Sequence, residues 1–250
     1  MKPAERFKGA AFAAPFLALL VMLTASTSWA AAIDVNPVRI DLRRAGESAE
    51  LRVSNKDRQP VSVEVVARKW DQDTEGRDIL KDTDEILAVP PIFTIAPGGQ
   101  QIVRIAFLGQ PDPAKEGSYR LLVTELDPPA GNQGAAVTMR LQINMPVFVA
   151  PASQKASPDI QLVSTRMSEQ GTYITLRNAG SAHVKLKSVE LIGNTGVMPA
   201  EGEPVVGQAR YLLPGTTLEL LVPGNSGVAE RVKITSDRGR GWEYAVAQPE

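Results

Sequence analysis

Apolar and polar residues alternate strictly along the chain over residues 137–145. The apolar members of this alternation are Val137, Met139, Leu141, Ile143 and Met145. A period of two is that of a β-strand with one apolar face and one polar face. Continued through residue 149, the strand would span about 40 Å, which is long for a strand. It therefore either lies in the core of a sandwich or offers its apolar row to another chain.

Short segments rich in Val, Ile and Leu fill the rest of the chain, with turn residues between them. In the first half these segments are 33–42, 49–54, 61–70, 90–95, 101–108 and 119–126. In the second half they are 160–167, 172–177, 184–192, 210–213, 216–222, 228–236 and 242–246. No segment has a convincing helical period, so the sequence predicts an all-β protein.

A small, polar segment bounded by prolines, PASQKASP at 151–158, resembles an interdomain linker. It divides the predicted strands into an N-terminal domain, residues 31–150, and a C-terminal domain, residues 159–250. Each half has the strand spacing of a β-sandwich. We therefore predict two immunoglobulin-like β-sandwich domains.

Residues 1–30 have the pattern of a secretory signal peptide. Three basic residues among the first eight precede an apolar run over residues 10–23, and residues 28–30 (SWA) carry small residues at the two positions that signal peptidase reads. The run is too short to span a bilayer comfortably. The sequence therefore predicts an exported protein whose mature chain begins at Ala31.

Composition narrows the functional classes. The net charge is −1 at pH 7 and only 5% of the residues are aromatic, which argues against nucleic-acid binding. The chain has no cysteine, so an exported protein of this sequence must be stable without disulfides.

The inventory of catalytic residues is thin. The single histidine, His183, has no cysteine to act with and is predicted to be a solvated residue of a loop or of a strand start. Residues 71–76 resemble the opening of a calcium loop, but Asp82 stands where the closing glutamate is needed, so a hairpin turn is predicted instead. We expect no metal, no cofactor, no small-molecule substrate and no enzymatic activity.

Several short motifs occur in order along most of the chain after residue 30. They are VRI at 38–40, LRVSN at 51–55, VPPI at 89–92, IAPG at 95–98, IVRI at 102–105, ELDPP at 125–129 and ITSDRG at 234–239. Taken together, they make the sequence similar to the PapD-like periplasmic chaperones of the pilus chaperone–usher pathway. The PVFV ending at 146–149 and YRLL at 119–122 look more like the archaic branch of that family, which assembles spore-coat-U-like subunits.

The resemblance implies an L-shaped molecule in the periplasm that binds a pilus subunit in a one-to-one complex and delivers it to an outer-membrane usher. In that family the last strand of the first domain completes the subunit's sandwich, so Val137, Met139, Leu141, Ile143 and Met145 become donor-strand residues. Leu141 and Ile143 are then expected to point out of the chain's own core. The alternative is a structural or adhesive immunoglobulin-like protein of the cell surface or pilus.

The resemblance also implies which charged residues matter. The family anchors the subunit's terminal carboxylate with two cations in the interdomain cleft. Arg39 matches the first, whereas Pro146 occupies the usual lysine position, and Arg120 is the candidate replacement. Arg104, Glu116 and Asp237 match an interdomain ion network that fixes the angle between the domains.

Overall fold

A computed structural model describes residues 33–73, 75–126, 140–152, 155–193, 196–197, 210–223 and 229–246. Every regular element in these ranges is a β-strand, which confirms the all-β prediction. None of the described residues belongs to a helix long and apolar enough to cross a membrane.

Ten strands of the described residues form the first sandwich. They are β1 (Ile33–Asn36), β2 (Ile40–Leu42), β3 (Ser48–Asn55), β4 (Val61–Gln72), β5 (Asp78–Asp82), β6 (Ile86–Val89), β7 (Ile92–Ile95), β8 (Gln100–Phe107), β9 (Gly117–Glu125) and β10 (Gln142–Val149). One sheet has the order β1-β3-β8-β6. The other has the order β2-β10-β9-β4-β5, with β7 also paired to β4.

The predicted first strand, 33–42, is divided between the two sheets. Strand β1 pairs antiparallel with β3 in one sheet, whereas β2 pairs parallel with β10 in the other. The chain crosses between the sheets at residues 37–39, where Pro37 has no N–H to give to a ladder. Arg39 therefore lies in the crossing, immediately before β2, and not in a regular strand.

The core of the first sandwich consists of the inward-facing residues of both sheets. In β9 and β10, Leu121, Val123, Met145 and Val147 are almost fully buried. Burying each side chain of this kind contributes roughly 1.5–3 kcal/mol before conformational entropy is counted. Because the core already includes the second half of β10, the first sandwich depends on that strand for its own stability.

In the described part of the second sandwich there are eight strands. They are β11 (Ile160–Ser168), β12 (Gly171–Asn178), β13 (Val184–Gly193), β14 (Gly196–Val197), β15 (Tyr211–Leu212), β16 (Thr217–Pro223), β17 (Arg231–Ser236) and β18 (Gly241–Ala245). One sheet has the order β11-β12-β16 and the other β14-β13-β17-β18, with β15 paired to β13. This sandwich has a buried core of its own.

The two sandwiches meet around a small buried cluster of Trp70, Phe148 and Leu213, against which Tyr211 packs. The turn between β4 and β5 also faces the second sandwich. Gly76 in this turn has a φ of +75°, and a Cβ there would collide with Leu218. Strands β4 and β5 pair antiparallel up to Gln72 and Asp78, so they form a hairpin at the predicted place, and Gly76 in its turn packs against the second sandwich.

Candidate functional site

Strand β10 has an open edge next to the meeting point of the two sandwiches. It pairs with β9 over its whole length, from Gln142 to Val149. On its other side it pairs with β2 only from Val147 to Val149. Within the described part of the chain, residues 142–146 of β10 therefore have no neighbouring strand on the β2 side.

The backbone polar groups along β10 alternate between the two sides. Leu141 C=O accepts a hydrogen bond from Glu125 N–H on the β9 side at 3.0 Å, and Ala150 N–H donates to Leu42 C=O on the β2 side at 2.8 Å. By this alternation, the N–H and C=O groups of Gln142 and Asn144 point to the open edge. Pro146 has the same parity and lacks an N–H, which is where a sheet edge tolerates proline.

The apolar row of β10 faces the core of the first sandwich. Ile143 pairs with Val123 and Met145 with Leu121, and both partners on β9 are fully buried. Met145 is itself only 1% exposed, whereas Ile143 and Leu141 are half-buried and pack against the core. The row therefore extends beyond the well-packed part of the sandwich.

These positions correct two expectations. Leu141 and Ile143 do not point out of the chain's own core, because the period of two places them on the same face as Met145. Met145 is a buried part of that core. Val137 and Met139 lie outside the described residues.

Arg39 lies beside the end of the open edge. The parallel register pairs Ile40 with Val147, so the preceding residue, Arg39, lies next to Pro146. The Arg39 guanidinium donates to Asp41 Oδ1 from Nε at 3.0 Å and from Nη2 at 2.6 Å. It also lies 4.9 Å from the ring centre of Phe148.

Arg120 lies on the other side of the same proline. The antiparallel register places it directly opposite Pro146, and therefore on the same face of the sheet. Its guanidinium stacks on Trp70 at 3.5 Å and lies 5.5 Å from Tyr211. Pro146 thus separates Arg39 from Arg120 along one row of the sheet.

Arg120 is 9% exposed, and its guanidinium has few hydrogen-bond acceptors around it. Its Nη2 donates to Asp78 Oδ2 at 3.1 Å, while its Nε is buried and has no hydrogen-bond partner. Burial lowers the pKa of Arg120, and the charge of Asp78 opposes this. Because a buried donor without an acceptor is costly, Arg120 is suited to bind an anion.

Aromatic rings connect the two arginines. Phe148, which contacts Arg39, lies 5.9 Å from Trp70 and 5.8 Å from Tyr211. Burial raises the pKa of Tyr211, and the positive charges of Arg39 and Arg120 oppose that rise. The structure therefore brings both predicted anchor residues to one aromatic cluster in the cleft between the sandwiches.

The predicted ion network does not form as expected. Glu116 pairs with His183, whose backbone N–H and ring Nδ1 lie 3.1 Å and 2.5 Å from Glu116 Oε1. Asp237 lines the same interdomain cavity of about 260 Å³, beside Lys185. Arg104 is exposed on β8, in the other sheet, and pairs with neither acid among the described residues.

His183 differs from its predicted solvated state. It does precede a strand, β13, but it is 8% exposed and stacks on Phe148 with 3.5 Å between ring centres. Sequence reasoning also missed Gln72. Its side-chain amide donates to Tyr211 C=O and accepts from Leu213 N–H and the Thr216 hydroxyl at 2.9–3.0 Å.

We expect Glu116→Ala to weaken the contact between the sandwiches, because it leaves the buried N–H and ring of His183 without their acceptor, at a cost of about 1–3 kcal/mol. Calorimetry should then show a broader unfolding transition than that of the unchanged protein, or two more widely separated ones. Arg104→Ala is the control and should leave the transition unchanged. If Arg104→Ala had the larger effect, the pairing of Glu116 with His183 would not be the contact that matters.

Comparison with known proteins gives a consistent picture. Residues 32–155 match the family described as pili and flagellar-assembly chaperone, PapD N-terminal domain. No curated protein sequence matches the chain.

Solved structures share the complete two-domain fold. A chain of the CsuC–CsuE chaperone–tip adhesion subunit complex, from archaic chaperone–usher Csu pili of Acinetobacter baumannii, aligns over 88% of this chain and 100% of its own, with 19% identity and a TM-score of 0.64. The E. coli chaperone DraB aligns over 86% and 96%, with 18% identity and a TM-score of 0.60. A chain of the Salmonella enterica SafA pilin–SafB chaperone complex aligns over 88% and 98%, with 18% identity and a TM-score of 0.58.

Proposed function

Because this chain belongs to the PapD-like chaperones of pilus assembly, which are not enzymes, we propose that it binds a pilus subunit by donor-strand complementation. The subunit strand pairs with the open edge of β10. Its terminal carboxylate is held between Arg39 and Arg120.

The observation that carries this proposal is that β2 lies on the same side of β10 as the open edge, so that a strand bound along the edge is in line with β2. Strand β2 runs parallel to β10 and begins beside Val147. A partner strand that lies parallel to β10 along residues 142–146 runs toward the start of β2, and its C-terminal end meets Arg39. There, a chain-terminal carboxylate lies next to the only proline of the strand, with Arg120 on the far side.

The apolar row supplies the rest of the binding energy. Leu141 and Ile143 are half-covered, so an incoming sandwich with a missing strand can bury what remains exposed. The backbone groups at Gln142 and Asn144 give hydrogen bonds along the edge, and the side chains give selectivity. Val137 and Met139 continue the row by sequence, so the proposed donor residues are Val137, Met139, Leu141 and Ile143.

The Csu and Saf complexes each contain a chaperone with a tip adhesion subunit or a pilin. By analogy, we expect one subunit per chaperone and delivery of the complex to an outer-membrane usher. Co-expression in a bacterial periplasm tests the class of function. A small β-protein that copurifies in a one-to-one complex supports the proposal, whereas self-polymerisation of this chain would favour a structural surface protein.

The proposed site of action is the periplasm. We expect N-terminal sequencing of periplasmic protein to begin at Ala31, because small residues at the end of the predicted signal fit the cleavage site. Periplasmic material that still begins at Met1 would contradict this. Deleting residues 2–30 should keep the protein in the cytoplasm, which serves as the control.

A further inference from the structure

Each of the two anchor arginines is already paired with a carboxylate of this chain. Arg39 binds Asp41 through two nitrogens, and Arg120 binds Asp78 through one. Both pairs join an anchor arginine to an aspartate, although Asp41 comes from β2 and Asp78 from β5, on opposite sides of β10. The carboxylates of Asp41 and Asp78 therefore occupy the two arginines to which the proposed function assigns the subunit's terminal carboxylate.

The aspartates lie nearer to solvent than the arginines they bind. The side chains of Asp41 and Asp78 are 56% and 38% exposed, whereas those of Arg39 and Arg120 are 19% and 11% exposed. Each aspartate can therefore turn into water when another carboxylate takes its arginine. The arginines cannot move out as easily, because Phe148 and Trp70 stack against them.

Resting on the proposed function, we propose that Asp41 and Asp78 are internal placeholders that occupy the anchor site until a subunit's terminal carboxylate displaces them. The placeholders neutralise the two anchor arginines when no subunit is bound, because each arginine then has one aspartate partner. They also make binding selective. A ligand must bring a carboxylate to replace the one it removes, since a displaced aspartate otherwise leaves a poorly solvated guanidinium unpaired.

The position of Asp78 is controlled by the contact between the sandwiches. The Gln72 side-chain nitrogen lies 3.3 Å from Asp78 Oδ1 and donates to Tyr211 C=O at 2.9 Å. Both residues belong to the β4–β5 hairpin, which packs on the second sandwich. The placeholder on Arg120 is therefore linked to the second sandwich through Gln72.

The test measures binding of two labelled probes by fluorescence anisotropy. One is a ten-residue peptide of alternating valine and serine with a free C-terminal carboxylate, and the other is the same peptide with a C-terminal amide. Asp78→Asn and Asp41→Asn should each bind the acid peptide about tenfold more tightly than the unchanged protein does, with no gain for the amide. Asp78→Glu keeps a competing carboxylate and should bind like the unchanged protein.

Asp82→Asn is the matched control. It removes the same charge from the same strand, but Asp82 pairs with Arg68 and not with an anchor residue. If Asp82→Asn tightened binding as much as Asp78→Asn, general charge would explain the effect and the placeholder role would be wrong. Weaker binding of the acid peptide to Asp78→Asn would also overturn it, since Asp78 would then position Arg120.

The outcomes separate this inference from the proposed function. If the unchanged protein prefers the acid peptide and neither Asp41→Asn nor Asp78→Asn improves binding, the two arginines bind a terminal carboxylate but the placeholder role of the aspartates is wrong. If acid and amide bind equally in every variant, the anchor itself is wrong. Thermal melts establish that each variant is folded, and the Asp41 variant tests the idea independently of Asp78.

Discussion

Arg39→Ala should reduce the affinity for a pilus subunit by about a hundredfold or more while the free chain stays folded. Arg39 lies outside the regular strands, and its guanidinium binds Asp41 and the face of Phe148 at the edge of the core, so its loss costs the fold little. A carboxylate bound by this guanidinium would lose charge-assisted hydrogen bonds worth about 1.5–3 kcal/mol each. Pull-down of subunit from the periplasm, beside thermal melts of the free chain, measures both effects.

Arg120→Ala should weaken binding comparably, but it should also lower the melting temperature. Arg120 is buried between Trp70 and Tyr211, and its removal opens a gap beside them. Arg68→Ala is the matched control, since Arg68 is the cross-strand neighbour of Arg120 but pairs with Asp82. Normal subunit binding by Arg120→Ala would show that the second anchoring cation lies elsewhere.

Asn144→Pro should abolish most subunit binding and leave the first sandwich folded. The N–H that proline removes at this position points to the open edge, so β10 keeps its hydrogen bonds to β9. A partner strand would lose one backbone hydrogen bond at residue 144 and would meet a second proline ring at the edge, in addition to that of Pro146. We expect at least a tenfold loss of affinity, measured by pull-down with the same subunit.

Ile143→Pro is the paired experiment, one residue away. Its N–H points toward β9, and its side chain packs on the core, so this proline should destabilise the first sandwich by about 3 kcal/mol or more. Urea unfolding distinguishes the two variants. If Asn144→Pro unfolds the domain as severely as Ile143→Pro does, residues 142–146 are bonded on both sides in solution and the edge is not open.

The sequence alone predicts the strands and their turns well, because those depend on local pattern. Of the alternation over residues 137–145, the part from Gln142 onward lies in β10, where the apolar residues share one face as predicted. The alternation cannot say where the core ends along that face, so it did not separate buried Met145 from half-covered Ile143. That boundary depends on how far the opposite sheet reaches.

The cleft was predicted only in part, because its parts come from distant segments. Arg39 and Arg120 were found through motif positions, and the structure brings both to one aromatic cluster. His183 precedes the alternating residues Val184 and Lys185 and carried no local sign that Glu116 and Phe148 would bury it. The best sequence signal for the aromatic cluster was the rarity of aromatic residues, since Trp70 and Tyr211 are two of only 13 in the chain.

The crossing of the chain at residues 37–39 gives the proposed site a fixed stop. Because Arg39 precedes β2 on the line of the open edge, a strand held there by its last residue cannot slide past it. Side chains alternate faces at every residue, so the stop also sets the parity of the strand. A subunit lengthened by one residue would turn its apolar side chains away from Ile143, whereas one lengthened by two would keep them aligned and shift each into the next pocket. The cleft thus fixes the register of a bound strand from the position of its last residue.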